Sequence, residues 1–194
     1  KEMTQIMDTF TKMNGNNYSP GTITGKPIPV GGSLARNVAT GLGNAYCIRE
    51  AAKILNIELN GAKVVLQGFG NASTFSGEYL EKMGAKCIAA SDSKGSILVP
   101  DGFKVQELID WKQKEGTVVG YPGSKEISTE ELLTTDCDVL VPGALENQIT
   151  AAIAEKLQCK IIGEAANGPT LPEADRLVQK KGGFDIPDIW ESSG

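Results

Sequence analysis

The stretch Lys63-Val64-Val65-Leu66-Gln67-Gly68-Phe69-Gly70-Asn71-Ala72-Ser73 decides the fold. Its apolar run stops at Gly68-Phe69-Gly70, and a helical pattern (Phe75, Tyr79, Leu80, Met83) follows at once. A strand that turns on glycines into a helix start leaves backbone N–H groups unpaired beside the positive end of the helix dipole. Glycines there let a pyrophosphate approach the main chain closely. A second apolar run, Cys87-Ile88-Ala89-Ala90, leads into Ser91-Asp92. Asp92 follows Gly68 at close to the roughly 20-residue offset of the ribose-binding acid in dinucleotide folds. One position departs from G-x-G-x-x-G, because Ser73 stands at the third glycine. The competing reading is a plain tight turn, and the ordered run of strand, helix and acid favours the cofactor site.

Outward from this stretch the chain alternates. Strand 63–67 is followed by helix 73–83, strand 86–91, an extended piece at 96–99 and helix 103–115. A short helix at 128–134 carries the capping-box spacing of Ser128 and Glu131. Strand 138–141, helix 148–156, strand 160–164, helix 172–181 and strand 184–187 complete the series. Such alternation predicts an α/β fold: a parallel, doubly wound, Rossmann-like sheet with helices on both faces. Ligands in these sheets lie beyond the carboxyl ends of the strands. Here those ends are 68–71, 91–94, 142–144 and 164–168, all rich in small residues. Upstream, a short amphipathic segment at 5–10 reads as the end of a helix. Residues 14–33 are dense in Asn, Gly, Pro and Ser, as a loop would be. Ser33 is a good N-cap for a long helix over 34–56.

Composition narrows the chemistry. The chain has 194 residues, 19 basic and 24 acidic side chains, and a net charge of −5 with no basic cluster. That argues against nucleic acid or an anionic membrane as partner. Its apolar stretches are too short to span a bilayer, and no secretory signal opens it, so a cytoplasmic location is expected. Histidine is absent, which excludes Ser–His and Cys–His nucleophilic machinery and His-liganded zinc. Cys47, Cys87, Cys137 and Cys159 lie in separate apolar elements without C-x-x-C spacing, as reduced buried thiols rather than disulfides or metal ligands.

The segments TGKPIPVGGSLARNVATG (24–41), QGFGNA (67–72), SDSKG (91–95), DVLVPGALENQI (138–149) and EAANGPTLPEAD (164–175) resemble the glutamate dehydrogenases, in that order and over nearly the whole chain. The resemblance is confined to that family's cofactor-binding domain. The substrate domain with the catalytic lysine and aspartate has no counterpart here, nor have the C-terminal helices that pack back on it. It therefore implies a remnant interdomain helix and linker over 1–33 and a dinucleotide-binding domain over 34–194. Full-length relatives oxidatively deaminate L-glutamate to 2-oxoglutarate with NAD or NADP, as hexamers. Position by position, Gly68, Phe69, Gly70, Asn71, Ala72 and Ser73 would meet the pyrophosphate. Asp92 and Ser93 would lie at the adenine ribose, with Lys94 able to meet a 2′-phosphate. Arg36, Thr40, Gly143, Ala144 and Asn167 would lie near the nicotinamide half. A solvated turn is the alternative for Asp92 and Lys94, and helix-start or turn roles for Arg36 and Asn167.

The departures from the family pattern gather near the same edge. Ala35, Leu42 and Asn44-Ala45 differ from it, Ser73 replaces a glycine, Gly143 an alanine, and the last residues 189–194 diverge. Ser73 adds a hydroxymethyl where the backbone must pass close to the pyrophosphate or to the packed strand and is expected to weaken cofactor binding; Gly143 with Ser192 is expected to widen the nicotinamide end. These features suggest an excised or re-engineered cofactor domain, catalytically incomplete alone; ordinary divergence of a natural relative is the alternative. Two further readings compete with it. One is a reshaped scaffold for another ligand or for self-association, pointed to by Ser73, Gly143, Ser192, Leu42 and Trp190. The other is an independent enzyme using Asp92, Lys94, Glu146 or Glu164.

Overall fold

The computed structural model describes residues 2–191, without the side chains of Asn37 and Glu191. The chain forms two compact units that divide between Ala39 and Thr40. In the first, α1 (Glu2–Met13) buries Met7 and is followed by two short 3₁₀ turns at Pro20–Thr22 and Ile28–Val30. The Asn-, Gly- and Pro-rich composition of 14–33 thus becomes turns and loop. The helix expected from residue 34 is α2 (Arg36–Ile54), and it crosses the division between the units. It begins three residues after Ser33, whose carbonyl accepts from the Arg36 N–H.

In the second unit the strands are β1 (Lys63–Gln67), β2 (Lys86–Asp92), β3 (Gly95–Phe103), β4 (Lys125–Ile127), β5 (Val139–Pro142), β6 (Ile161–Gly163) and β7 (Phe184–Ile186). They make one seven-stranded sheet in the order β4-β3-β2-β1-β5-β6-β7. The helices are α3 (Asn71–Lys82), α4 (Val105–Glu115), α5 (Thr129–Leu133), α6 (Ala151–Lys156), α7 (Pro172–Lys180) and α8 (Asp188–Glu191). Both faces of the sheet are covered, because the β1 side chains alternate. Val64 and Leu66 join Ile48, Leu80, Val105 and Leu108 in one core. Val65 joins Leu132, Leu140, Ile162, Ala174 and Val178 in the other. The fold is a doubly wound, Rossmann-like α/β sheet.

The expectation of a parallel sheet is corrected at one side. Strands β1, β2, β5, β6 and β7 are parallel, while β3 runs antiparallel to β2 and to β4. Only Ser93 and Lys94 separate β2 from β3, and a two-residue turn reverses the chain where a parallel crossover needs a dozen residues or more. Strand β4 lies in the stretch between the expected helices 103–115 and 128–134. The capping box on α5 forms as its spacing implied, with Ser128 Oγ accepting from the Glu131 N–H and Glu131 Oε2 from the Ser128 N–H.

Candidate functional site

The carboxyl ends of β1, β5 and β6 are laced together. The Gly143 N–H donates to Gln67 O at 2.7 Å, and the Ala165 and Ala166 N–H groups both donate to Pro142 O at 3.0 Å. Asn147 N–H reaches Gly168 O at 3.0 Å, and the buried Gln67 Nε2 donates to Gln148 Oε1 at 3.2 Å. Sequence reasoning missed this lacing. Its partners are neighbours only once β5 is inserted between β1 and β6.

Within that edge, the glycines of the β1–α3 turn have different tasks. Gly68 has φ +86°, and a Cβ there would lie 2.9 Å from Gly143 O. Glycine is needed at that position by both conformation and space. Its N–H is not left for a ligand, since it donates to the buried Ser91 Oγ at 2.8 Å. Gly70 is the N-cap of the 12-residue α3, and no side chain caps this helix. No heavy atom stands within 4 Å of where a Gly70 Cβ would be. Gly70 and Asn71 are exposed and Ala72 is half-buried. This is the bare helix start that an anion can approach.

Two residues expected at the pyrophosphate present no side chain to it. Phe69 is buried in the core, with Lys112 Nζ 5.8 Å from its ring centre and donating to its carbonyl oxygen at 2.8 Å. Ser73 is fully buried, its Oγ directed at the position a Gly143 Cβ would take. The hydroxymethyl therefore faces the sheet, not the anion. The close helix–strand approach is supplied by Gly77, where a Cβ would lie 2.8 Å from Leu66 Cδ1.

Asp92 is neither a solvated turn residue nor an idle carboxylate. Its side chain is 5 % exposed. Oδ1 accepts from Lys94 N–H at 2.9 Å and from the Thr117 hydroxyl at 3.1 Å, and Oδ2 from Val118 N–H at 2.8 Å. Lys112 Nζ lies 3.9 Å away. Burial pushes this carboxyl up, but the hydrogen bonds from Lys94, Val118 and Thr117, with Lys112, hold it below its ordinary range. Three of about four acceptor positions are used, which leaves room for one more donor. Ser93 and Lys94 are exposed at the hairpin tip. Lys112 carried no signal in the sequence, because only the folding of α4 beside the β1–α3 turn brings it here.

Toward the other half, Ala144 and Asn167 are exposed at the ends of β5 and β6, and Gly143 is half-buried. Thr40 precedes Gly41, whose carbonyl accepts from Ser76 Oγ on α3 at 3.3 Å. Arg36 belongs to the first unit, exposed in the first turn of α2. Ser192 lies outside the described residues. Among the described residues no group of His, Cys, Asp and Glu is arranged to hold a metal ion, and no helix is long and apolar enough to cross a membrane.

Residues 31–194 match the family model described as Glutamate/Leucine/Phenylalanine/Valine dehydrogenase. The chain belongs to this dehydrogenase family. A glutamate dehydrogenase of Thermotoga maritima is 45 % identical over 193 residues, which is 99 % of this chain and 46 % of that protein. An NAD-specific glutamate dehydrogenase of Staphylococcus aureus is 44 % identical over 192 residues, with the same shares. Among solved structures, the hetero-hexameric glutamate dehydrogenase of Thermus thermophilus superposes with a TM-score of 0.88 at 31 % identity, over 99 % of this chain and 45 % of that one. The chain thus spans a little under half the length of these members of the dehydrogenase family, and its fold is that of the corresponding part.

Proposed function

We propose that this chain binds a nicotinamide dinucleotide, NAD or NADP, across the carboxyl ends of β2, β1, β5 and β6. The observation that carries the reading is Gly70: an exposed glycine at an uncapped helix start, with open space where a side chain would be. The pyrophosphate would rest on the main chain of Gly70, Asn71 and Ala72, the adenine ribose toward Asp92, and the nicotinamide half toward Ala144 and Asn167. When bound, the dinucleotide supplies a hydride acceptor or donor; the chain's own residues hold and orient it. Oxidative deamination of L-glutamate is proposed for a longer chain that adds a substrate domain, with residues 1–33 as the link to it.

An ionised Asp92 favours a free 2′-hydroxyl, so NAD should bind more tightly than NADP, with Lys94 moderating the difference. Titration calorimetry with both cofactors tests this. Gly70→Val should weaken NAD binding about tenfold or more while the protein still folds, since its φ of −94° suits any residue and the poorer N-cap costs only about 1 kcal/mol. A folded protein that gives no heat at millimolar NAD sinks the proposal.

Self-association is proposed separately. Tyr46, Ile54, Phe184 and Trp190 are exposed and border an apolar groove beside β7. We assign a second copy of this chain as its occupant; the Thermus relative assembles as a hetero-hexamer. Sedimentation velocity showing only monomer at high concentration would refute it.

A further inference from the structure

The four cysteines are free thiols, yet two of them share one place. Val139 pairs with Ile161 in the parallel β5–β6 ladder, and just before it the Lys160 and Ile161 N–H groups both donate to Asp138 O. Two residues back from that paired position on each chain stand Cys137 and Cys159. Cys137 is 4 % exposed within the core formed with Leu133, Leu140 and Leu157, and Cys159 packs against that core. The two thiols are close enough for Cys159 to raise the Cys137 thiol. The Lys160 N–H to Asp138 O bond, at 3.1 Å, holds the two segments side by side where these cysteines stand. Cys159 also lines a surface cavity of about 150 Å³ with Leu157, Gln158, Lys160 and Lys181.

We propose that Cys137 and Cys159 form a reversible dithiol–disulfide site, oxidised by a peroxide that enters at Cys159. The Cys159 thiol beside it, and then burial, raise the Cys137 thiol well above its ordinary pKa, so Cys137 stays protonated until it is needed. Cys159 is the more exposed of the two and belongs to the cavity wall, so it leads. Its thiolate sulfur attacks one peroxide oxygen, the O–O bond breaks, and the departing hydroxide becomes water with the proton Cys159 gave up. The Cys137 sulfur then attacks the resulting sulfenic sulfur. The S–O bond breaks, and the leaving hydroxide takes the Cys137 proton as a second water. Two thiols and one hydrogen peroxide thus give one disulfide and two waters, the sulfurs being oxidised and the peroxide reduced. Cys87 does not compete, since burial pushes its thiol up to about 12.

The new bond would tie β5 to β6 at the end of the sheet away from the glycine turn. The inference is therefore independent of the cofactor reading. The test exposes the 194-residue protein to hydrogen peroxide, alkylates the remaining thiols and maps peptides by mass spectrometry. The expected product is a peptide pair joined through Cys137 and Cys159, reversed by dithiothreitol. The melting temperature of the oxidised form should rise by roughly 5–12 °C. In Cys137→Ser the Cys159 sulfenic acid should persist and be trapped by dimedone. Recovery of both cysteines alkylated from peroxide-treated wild-type protein would overturn the proposal. So would wild-type Cys159 over-oxidised to the sulfinic acid beside an alkylated Cys137.

Discussion

A Cβ placed on Gly143 would overlap Ser73 Oγ and lie 3.3 Å from Ala165 Cβ. The two departures from the family pattern at 73 and 143 are therefore one change in volume, divided between a helix and a strand end. Gly143→Ala alone should cost about 1–3 kcal/mol by overpacking. Ser73→Gly alone should cost about 0.5 kcal/mol through helix propensity, offset in part by removal of a buried hydroxyl that has no partner. The double variant should recover much of the loss, with a coupling of about 1 kcal/mol or more in a urea-denaturation cycle; simple additivity would refute the complementarity. Ser73→Gly should also leave NAD affinity unchanged, because its side chain never faces the anion. Asp92 is a second residue whose part is structural as well as functional. Its carboxyl lies below the ordinary value in the folded state, so its contribution is present above the unfolded pKa and is lost as the pH falls through the folded one. Asp92→Asn should flatten the stability curve below about pH 4, read by thermal melts from pH 3 to 6. An unaltered acid limb would show that the Thr117 and Val118 contacts do not matter.

At the scale of elements, α2 and α3 cross on a glycine. A Cβ on Gly41 would overlap Phe75 Cβ and lie 2.7 Å from Ala72 O and 2.8 Å from Ser76 N. Helix propensity alone makes Gly41→Ala favourable by about 1 kcal/mol, but backbone atoms cannot move aside as a flexible side chain can. The expected result is a net loss of about 1–3 kcal/mol, seen as a lower denaturant midpoint at unchanged slope; a gain would mean the helices slide apart freely. The crossing also shows which information the sequence carried. Strand-and-helix alternation, the glycine turn and the α5 capping box are local patterns of spacing, and they were legible. The reversal of β3 was less so, because Ser93-Lys94 is a short turn inside an otherwise regular βαβ rhythm. Lys112 beside Asp92, Ser91 on the Gly68 N–H, and Gly77 against Leu66 depend on contacts between elements, which no spacing encodes. Nor does the pattern of residues reveal that Ser73 points inward. That follows from its place on the α3 face that also buries Ser76, Gly77 and Leu80.

At the scale of the molecule, the acids at the ends of β6 and β7 set how stability varies with pH. Glu164 is buried and accepts from the Thr170 and Asp188 N–H groups, at 3.2 and 2.9 Å. Asp185 on β7 faces Glu164 and also Asp175 on α7, and its buried Oδ1 has no partner. Burial, then the neighbouring Glu164 and Asp175 charges, push the Asp185 carboxyl up to about 8, and burial raises Glu164 as well. A carboxyl raised in the folded state binds its proton more tightly there than in the unfolded chain. Its stabilising effect is therefore complete below the unfolded value near 4, shrinks as the pH climbs, and is gone by about pH 8. This is opposite in sign to Asp92, so the acid limb and the neutral limb of the stability curve belong to opposite flanks of the sheet, β2 and β6–β7. Asp185→Asn keeps the shape and removes the charge. It should leave stability at pH 4 nearly unchanged and raise it at pH 8 by on the order of 1–3 kcal/mol, the cost of an unsatisfied buried acceptor group. Urea midpoints of both proteins across pH 4–8 decide the matter: curves that stay parallel would mean that Asp185 ionises without penalty. The loop from Glu164 to Thr170 carries Asn167, so the same series run with saturating NAD should show ligand stabilisation weakening toward pH 8 in the wild type and holding steady in the variant.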